Sequence, residues 1–270
     1  MTRIAVHGAA GRMGRNIVKV LAEDKAATLV SAMDRADHAA LGQDAGVLAG
    51  LPEPLGVALT ASLRGALEHA EVVIDFSLPM AARALFDLCA ERRIAAVVGT
   101  TGLDSAAKHA LDALCKVAPV VAAPNYSIGV NVLWALAAQA VRLLGPEFDV
   151  EIVEMHHKHK VDAPSGTAVR LTEVVAQARG LDINKAVTSG RSGLVGARRP
   201  DEIGVLALRG GDVVGDHTLV LAGPGERIEL THRAHTREIF ARGAVRAAHW
   251  VTGRAPGLYE MADVLGIAAS

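Results

Sequence analysis

The run Glu151-Ile-Val-Glu-Met-His-His-Lys-His-Lys-Val-Asp-Ala-Pro-Ser-Gly-Thr-Ala168 places three histidines and two lysines in the five residues His156 to Lys160. Histidine gives or takes a proton near neutral pH, and a lysine crowded by cations has its pKa lowered toward the same range. The small-residue turn Pro164-Ser165-Gly166-Thr167 follows and opens a helix. Its backbone N–H groups and a hydroxyl are then presented to an anion. Cationic side chains on one wall and a helix N-terminus on the other suit a dicarboxylate, with proton transfer beside it.

Ile152 and Val153 lead into this basic knot as a strand. If the strand ran through it, His156, Lys158 and Lys160 would share one face and His157 and His159 the other; a break near Lys160 would re-aim them. Plainer readings apply to single residues: Lys158 as a solvated charge, His159 as a satisfied structural histidine. No metal is expected, because neither a Cys nor a clear carboxylate partner completes a set with His156, His157 or His159, and the lysines repel a cation.

A second motif stands near the start. Gly8-Ala9-Ala10-Gly11-Arg12-Met13-Gly14 joins a strand, Ile4 to Gly8, to a helix, Arg12 to Ala22. The spacing is G-x-x-G-x-x-G, and the physics is that of a dinucleotide turn. Gly8 permits the tight turn, Gly11 lets backbone N–H groups approach a pyrophosphate, and Gly14 allows close helix–strand packing. A purely structural turn is the alternative. Asp34, about twenty residues on, ends the second strand, where a carboxylate bonds ribose hydroxyls and favours NAD. Its neighbour Arg35 suits a 2′-phosphate and favours NADP, so the pair predicts NADH or NADPH, unless it is an ordinary surface ion pair. Gly99-Thr100-Thr101-Gly102 and Ala123-Pro124-Asn125-Tyr126 follow later strands, and in a parallel sheet such loops line the crevice on the nicotinamide side.

The elements that must position these motifs alternate through the first half. Strands at Thr28–Met33, Val72–Phe76, Ala95–Gly99 and Pro119–Ala122 are interleaved with helices at Met80–Arg92 and Asp104–Lys116, which implies a parallel sheet covered on both faces. A long helix, Ile128–Leu144, a strand, Val150–Met155, and a helix, Gly166–Ala178, follow. Runs at Ile203–Arg209, His217–Ala222 and Arg227–Arg233 are joined by Gly-rich turns and read as antiparallel or mixed. A last helix, Thr236–Val251, opens on a capping box of Thr236 and Glu238. Ser189–Pro200 is Gly/Arg-rich and aperiodic, a mobile loop without an assigned role.

The 270 residues are 51% apolar and 3% aromatic, which suits an α/β protein, and the net charge of -1 offers no basic excess for nucleic acid. Cys89 and Cys115 fall in helical segments without a motif and read as buried, reduced thiols. The chain enters its first strand almost at once, without a signal core or a stretch long enough to cross a membrane, so a soluble cytoplasmic protein is expected.

Val6-His-Gly-Ala-Ala-Gly-Arg-Met-Gly14, Val98-Gly-Thr-Thr-Gly102, Ala123-Pro-Asn-Tyr-Ser-Ile-Gly-Val-Asn131 and Glu154-Met-His-His-Lys-His-Lys-Val-Asp-Ala-Pro-Ser-Gly-Thr167 together resemble the signatures of the dihydrodipicolinate reductase family, end to end and in order. The resemblance implies reduction of 4-hydroxy-tetrahydrodipicolinate to tetrahydrodipicolinate by NADH or NADPH with loss of water, in lysine and diaminopimelate biosynthesis. It implies His156 and Lys160 as a cationic acid/base pair, and His157, Ser165, Gly166 and Thr167 as contacts to the substrate carboxylates. Gly8 to Met13, Asp34, Arg35, Gly99 to Thr101 and Ala123 to Tyr126 would hold the cofactor. Tyr126 stands where some members carry phenylalanine.

The implied architecture is an N-terminal Rossmann-type domain, residues 1–126 and 236–270, completed by the C-terminal helix. An inserted α+β substrate and oligomerisation domain, 127–235, would build a homotetramer through its sheet. A nucleotide sensor without catalysis, or an amino-acid dehydrogenase of similar architecture, are the competing readings.

Overall fold

The structure, a computed structural model, describes residues 1–267; the last three residues of the expected first domain lie outside the described residues. The first half runs β1 (Thr2–His7), α1 (Arg12–Glu23), β2 (Ala27–Met33), α2 (Ala45–Ala49), β3 (Leu59–Thr60), α3 (Leu63–Ala66), β4 (Val72–Asp75), α4 (Pro79–Arg92), β5 (Ala95–Val98), α5 (Ser105–Cys115) and β6 (Pro119–Ala122). The second runs α6 (Ile128–Leu144), β7 (Asp149–His156), α7 (Gly166–Arg179), α8 (Ile183–Ala186), β8 (Val187–Ser189), β9 (Ile203–Arg209), β10 (Gly215–Gly223), β11 (Glu226–Ala234), α9 (Glu238–Val251), β12 (Gly257–Tyr259) and α10 (Met261–Leu265). The chain divides into two compact units, Met1–Ile128 with the segment from Arg237, and Gly129–Thr236.

The first unit carries a 7-stranded parallel sheet in the order β12-β6-β5-β4-β1-β2-β3. Its central strands are buried on both faces. In β1, Ile4 and Val6 enter the core that includes α1 and α9, while Ala5 enters the opposite core with α4 and α5. That alternation explains the continuous apolar runs of β4 to β6. Two strands of this sheet are too short to show a period in the sequence: β3, with 2 residues, and β12, with 3, which extends the sheet beside β6.

The second unit carries a 5-stranded mixed sheet, β11-β10-β7-β9-β8, with β7 at its centre. β10 is antiparallel to both β11 and β7, whereas β7, β9 and β8 are parallel. Apolar side chains of α6 and α7 pack with Val150, Ile152, Val205, Leu219 and Leu221.

Three local expectations are corrected. The last helix starts at Glu238 with Arg237 at its cap and no side-chain cap bond, so Thr236 lies outside it and the expected capping box is not its start. Cys115 is only half-buried, unlike Cys89. The loop expected to be mobile is tied to strand-borne carboxylates. Arg191 pairs with Glu151 and Glu202, and Arg198 bonds Asp149, Glu151 and the carbonyl of Val150. Among the described residues no helix is long and apolar enough to cross a membrane.

The end of α9 is pinned within the first unit. His249 Nε2 lies 2.7 Å from Asp24 Oδ2, and His249 Nδ1 lies 3.2 Å from Thr2 Oγ1. The bond from His249 holds the Asp24 carboxyl below its ordinary 3.8. A depressed carboxylate contributes stability above its unfolded pKa and loses it as pH falls through the folded one. Asp24→Asn is expected to lower unfolding free energy at pH 7 by about 1 kcal/mol. In urea unfolding that deficit shrinks below the unfolded value; a deficit independent of pH would contradict the ion pair.

Candidate functional site

In the first unit the glycine turn folds as its spacing predicts. Gly8 adopts φ +77°, and a Cβ on Gly14 would fall 2.1 Å from the Gly8 carbonyl oxygen, so only glycine lets α1 come this close to β1. The N–H groups of Gly8 and Ala9 both bond the Met33 carbonyl, at 2.9 and 3.0 Å. Gly11 caps α1 without a side chain, and no acidic residue occupies its first turn, which leaves the positive helix end to an outside anion. Asp34, directly after β2, accepts from the Ala10 N–H at 3.0 Å and the Arg35 N–H at 2.9 Å, thereby bracing the turn. Arg35 is exposed and meets Asp37 at 3.1 Å.

A cleft of about 300 Å³ gathers Arg12, Met13, Gly99, Ala123, Pro124, Asn125 and Tyr126 with Phe76, Arg237 and Phe240. Thr100 and Thr101 line a neighbouring cavity of about 360 Å³ with Lys108 and Pro124. Tyr126 is buried, and its hydroxyl lies 2.9 Å from the carbonyls of both Val98 and Val121, tying its loop to β5 and β6. Phenylalanine would keep the ring contact with Phe76, 5.5 Å between centroids, but not these bonds. Arg237 and Phe240 were missed because they sit on the returning C-terminal segment, far in sequence from every loop the parallel-sheet rule points to. A sleeve of glycine turn, free helix end and loops at the carboxyl ends of β5 and β6 fits a dinucleotide.

In the second unit the basic knot is not a strand. β7 ends at His156, His157 N–H bonds the Val213 carbonyl at 2.8 Å, and Lys160 N–H returns to the His157 carbonyl at 3.1 Å. The chain therefore turns four residues earlier than Lys160, and no shared face of His156, Lys158 and Lys160 forms. Lys158 is exposed, as a solvated charge should be, and His159 is exposed rather than a satisfied structural histidine. Lys160 Nζ meets Asp162 Oδ1 at 2.8 Å, so a carboxylate answers the cation crowding the sequence suggested.

β7 alternates strictly, and Val150, Ile152, Glu154 and His156 form its inner face. Glu154 is completely buried. It accepts from both terminal nitrogens of Arg209, at 2.8 and 2.9 Å, from His156 Nδ1 at 2.7 Å and from the Ser165 N–H at 3.0 Å. Burial pushes its carboxyl up, but these donors outweigh it and hold the pKa below the ordinary value. Burial lowers His156, aided by the charges of Lys160 and Arg209 and opposed by Glu154. The expected cationic pair therefore places Lys160 beside a His156 whose protonation burial, Lys160 and Arg209 disfavour and Glu154 favours.

Ser165 caps α7, accepting from the Ala168 N–H at 3.2 Å, and its hydroxyl also lies 3.0 Å from His217 Nε2. Ser165 is buried, whereas Gly166 is exposed and Thr167 half-buried at the start of the helix. Arg209 and His217 were missed because strand register brings them in: His156 pairs with Arg209 on β9, and Glu154 with His217 on β10. Glu154 was legible, since an inward His156 requires an inward residue two positions earlier. It is also the carboxylate partner of His156.

Residues 2–126 match the family model for the N-terminus of dihydrodipicolinate reductase, and residues 129–265 match that for its C-terminus. The chain belongs to the dihydrodipicolinate reductase family. A 4-hydroxy-tetrahydrodipicolinate reductase of Anaeromyxobacter sp. (strain Fw109-5) is 54% identical over 99% of this chain and 98% of its own length. That of Geobacter sulfurreducens is 49% identical over 99% of this chain and all of its own. The solved dipicolinate-bound dihydrodipicolinate reductase of Paenisporosarcina sp. TG-14 superposes with a TM-score of 0.78, covering 99% of this chain and 100% of that one at 24% identity. The last comparison speaks for the fold, a parallel-sheet Rossmann-like unit and a mixed-sheet unit, as the family reading requires.

Within this family site His217 makes a thermodynamic signature. Burial and the neighbouring His156 push it down to about 3 from 6.5. A histidine neutral when folded but protonated when unfolded makes stability fall as pH drops below the unfolded value, by about 1.4 kcal/mol per pH unit for one proton. His217→Gln, which keeps a polar group near Ser165, is expected to flatten the acid-side dependence of the urea midpoint by roughly one proton. An unchanged slope would place the proton uptake elsewhere.

Proposed function

We infer that the protein reduces 4-hydroxy-tetrahydrodipicolinate to tetrahydrodipicolinate with loss of water, using NADH or NADPH, in the cytoplasmic synthesis of diaminopimelate and lysine. The observation that supports this best is the constellation of His156, Lys160 and the opening of α7, in a chain 54% identical to a 4-hydroxy-tetrahydrodipicolinate reductase along nearly its whole length. Bound reduced nicotinamide supplies the hydride. The hydroxyl leaves as water, and one proton is taken up per hydride.

The Met1–Ile128 unit with its C-terminal segment binds the cofactor. Gly8, Ala9, Ala10 and Gly11, whose N–H groups are bonded within the turn, shape its close approach, and Arg12 and Met13 bring N–H groups and the α1 end to the pyrophosphate. Asp34 and Arg35 face the adenosine ribose, and Gly99, Thr100, Thr101, Ala123, Pro124, Asn125 and Tyr126 line the nicotinamide side. Arg237 and Phe240 close that cleft.

The Gly129–Thr236 unit binds the dicarboxylate. Gly166 and Thr167 offer the first N–H groups of α7 and, with His157, hold the carboxylates. Ser165, buried and already bonded, contributes by shaping the cap. Lys160 places positive charge where negative charge develops, and His156 and Lys160 deliver the proton. The exposed Leu206, Leu208 and Ile228 on the sheet of this unit favour a homotetramer built there.

The test is turnover, followed by cofactor absorbance with 4-hydroxy-tetrahydrodipicolinate made in place. Fast oxidation that needs this substrate is expected; oxidation only with other imines or keto acids would favour a dehydrogenase, and cofactor binding without turnover a sensor. Lys160→Met should lower kcat by about 100-fold or more with cofactor affinity retained; equal losses in both would overturn its role. Arg35→Ala should weaken NADPH binding selectively, and an unchanged NADPH/NADH preference would remove Arg35 from the ribose site.

A further inference from the structure

Glu154 has no part in the roles above, yet three segments of the second unit converge on it. His156 stands two residues along the same strand. Arg209, held bidentately, also bonds the Asp162 carbonyl at 2.6 Å and so fixes the turn that carries Lys160. Ser165 N–H fixes the start of α7 at 3.0 Å. We propose that Glu154, with Arg209, is the positioning group of the site: its carboxylate sets the His156 ring with Nδ1–H inward and Nε2 left for the ligand, and holds the Lys160 turn and the α7 opening in register with that nitrogen. The proposal rests on His156 acting in proton transfer.

The tautomer follows from the acceptor. A carboxylate ringed by the Arg209 guanidinium and a backbone N–H stays ionised and can only accept, so the proton in its 2.7 Å contact belongs to His156 Nδ1. Nε2 is then the nitrogen that exchanges a proton. Stability alone does not account for the arrangement, since a buried ion pair is often replaceable by apolar packing without loss. The charged and titratable groups facing His156 are Glu154 on its own strand, Lys160 from the turn, Arg209 from β9 and His217 from β10, whose ring meets that of His156 edge-on at 5.1 Å. Removal of the one anion among them leaves cations that disfavour protonated His156.

The experiment compares the full-length wild type with Glu154→Gln, Glu154→Asp, His156→Gln and the Glu154→Gln/His156→Gln double variant. It reads kcat and KM against pH, and the nitrogen-15 signals of the His156 ring. Expected are an Nδ1–H tautomer in the wild type, lost in Glu154→Gln, with kcat lowered about 10- to 100-fold. The limb of the pH profile belonging to His156 moves to lower pH by roughly one unit. In the His156→Gln background the Glu154→Gln change should lower kcat clearly less than in the wild type, because the part acting through His156 is already gone and only the hold on the Lys160 turn and the α7 opening remains. Glu154→Asp keeps the charge and should recover part of kcat, which also serves if the glutamine variant does not fold. Fully additive losses, an unmoved limb in a folded variant, or an Nε2–H tautomer in the wild type would overturn the proposal. If His156→Gln alone leaves kcat intact, the assignment of His156 falls instead, and the ring signals still report whether Glu154 sets the tautomer.

Discussion

The buried charge of Glu154 is the constraint around which the second unit is arranged. A carboxylate without solvent contact must be matched by donors, and here each donor is drawn from a different segment: Arg209 from β9, His156 from the end of β7, Ser165 from the cap of α7. Removal of Arg209 would leave an unpaired charge in the interior, a loss on the order of 3–5 kcal/mol, and a shift of His156 or Ser165 would leave the carboxylate one donor short. The mixed sheet provides the register that makes the match possible, with β7 at its centre between β9 and β10.

The first unit solves a different problem with little charge. Its turn offers backbone N–H groups and a helix end, kept open by Gly8 and Gly14, and Asp34 is spent in part on bracing that turn. A pyrophosphate carries its own charge, so the protein needs only close backbone approach and a matching dipole. The proposed substrate carries two carboxylates, and on that account the second unit brings side-chain cations. The two units thus use the two ordinary ways in which a protein meets an anion.

Much of this was legible in the sequence. The parallel sheet, the mixed second sheet and the chemistry-bearing motifs are local patterns: glycine spacing, apolar runs between helices, and a dense basic cluster. The site residues that periodicity does not reveal share one cause. Arg209, His217, Arg237 and Phe240 become neighbours of their sites only through strand register or the return of the C-terminal segment, and periodicity does not encode pairing between distant segments. The loop around Arg191 and Arg198 reads as mobile in sequence because its anchors, Glu151 and Asp149, lie 40 and 49 residues earlier on β7. Glu154 is the exception, visible by alternation as the inward residue two positions before His156. The knot itself turned at His156 because its N–H and C=O groups find partners in the Gly211–Val213 segment and within the turn.

The turn after β7 and the opening of α7 are the proposed dicarboxylate site. Titration of the full-length protein with dipicolinate, an aromatic dicarboxylate that accepts no hydride, tests it most directly when backbone amide and histidine ring signals are followed together. Saturable shifts are expected at the amides of Gly166 and Thr167 and at the rings of His156 and His157, with the same midpoint for all. Saturable binding that leaves these four residues unmoved would contradict it.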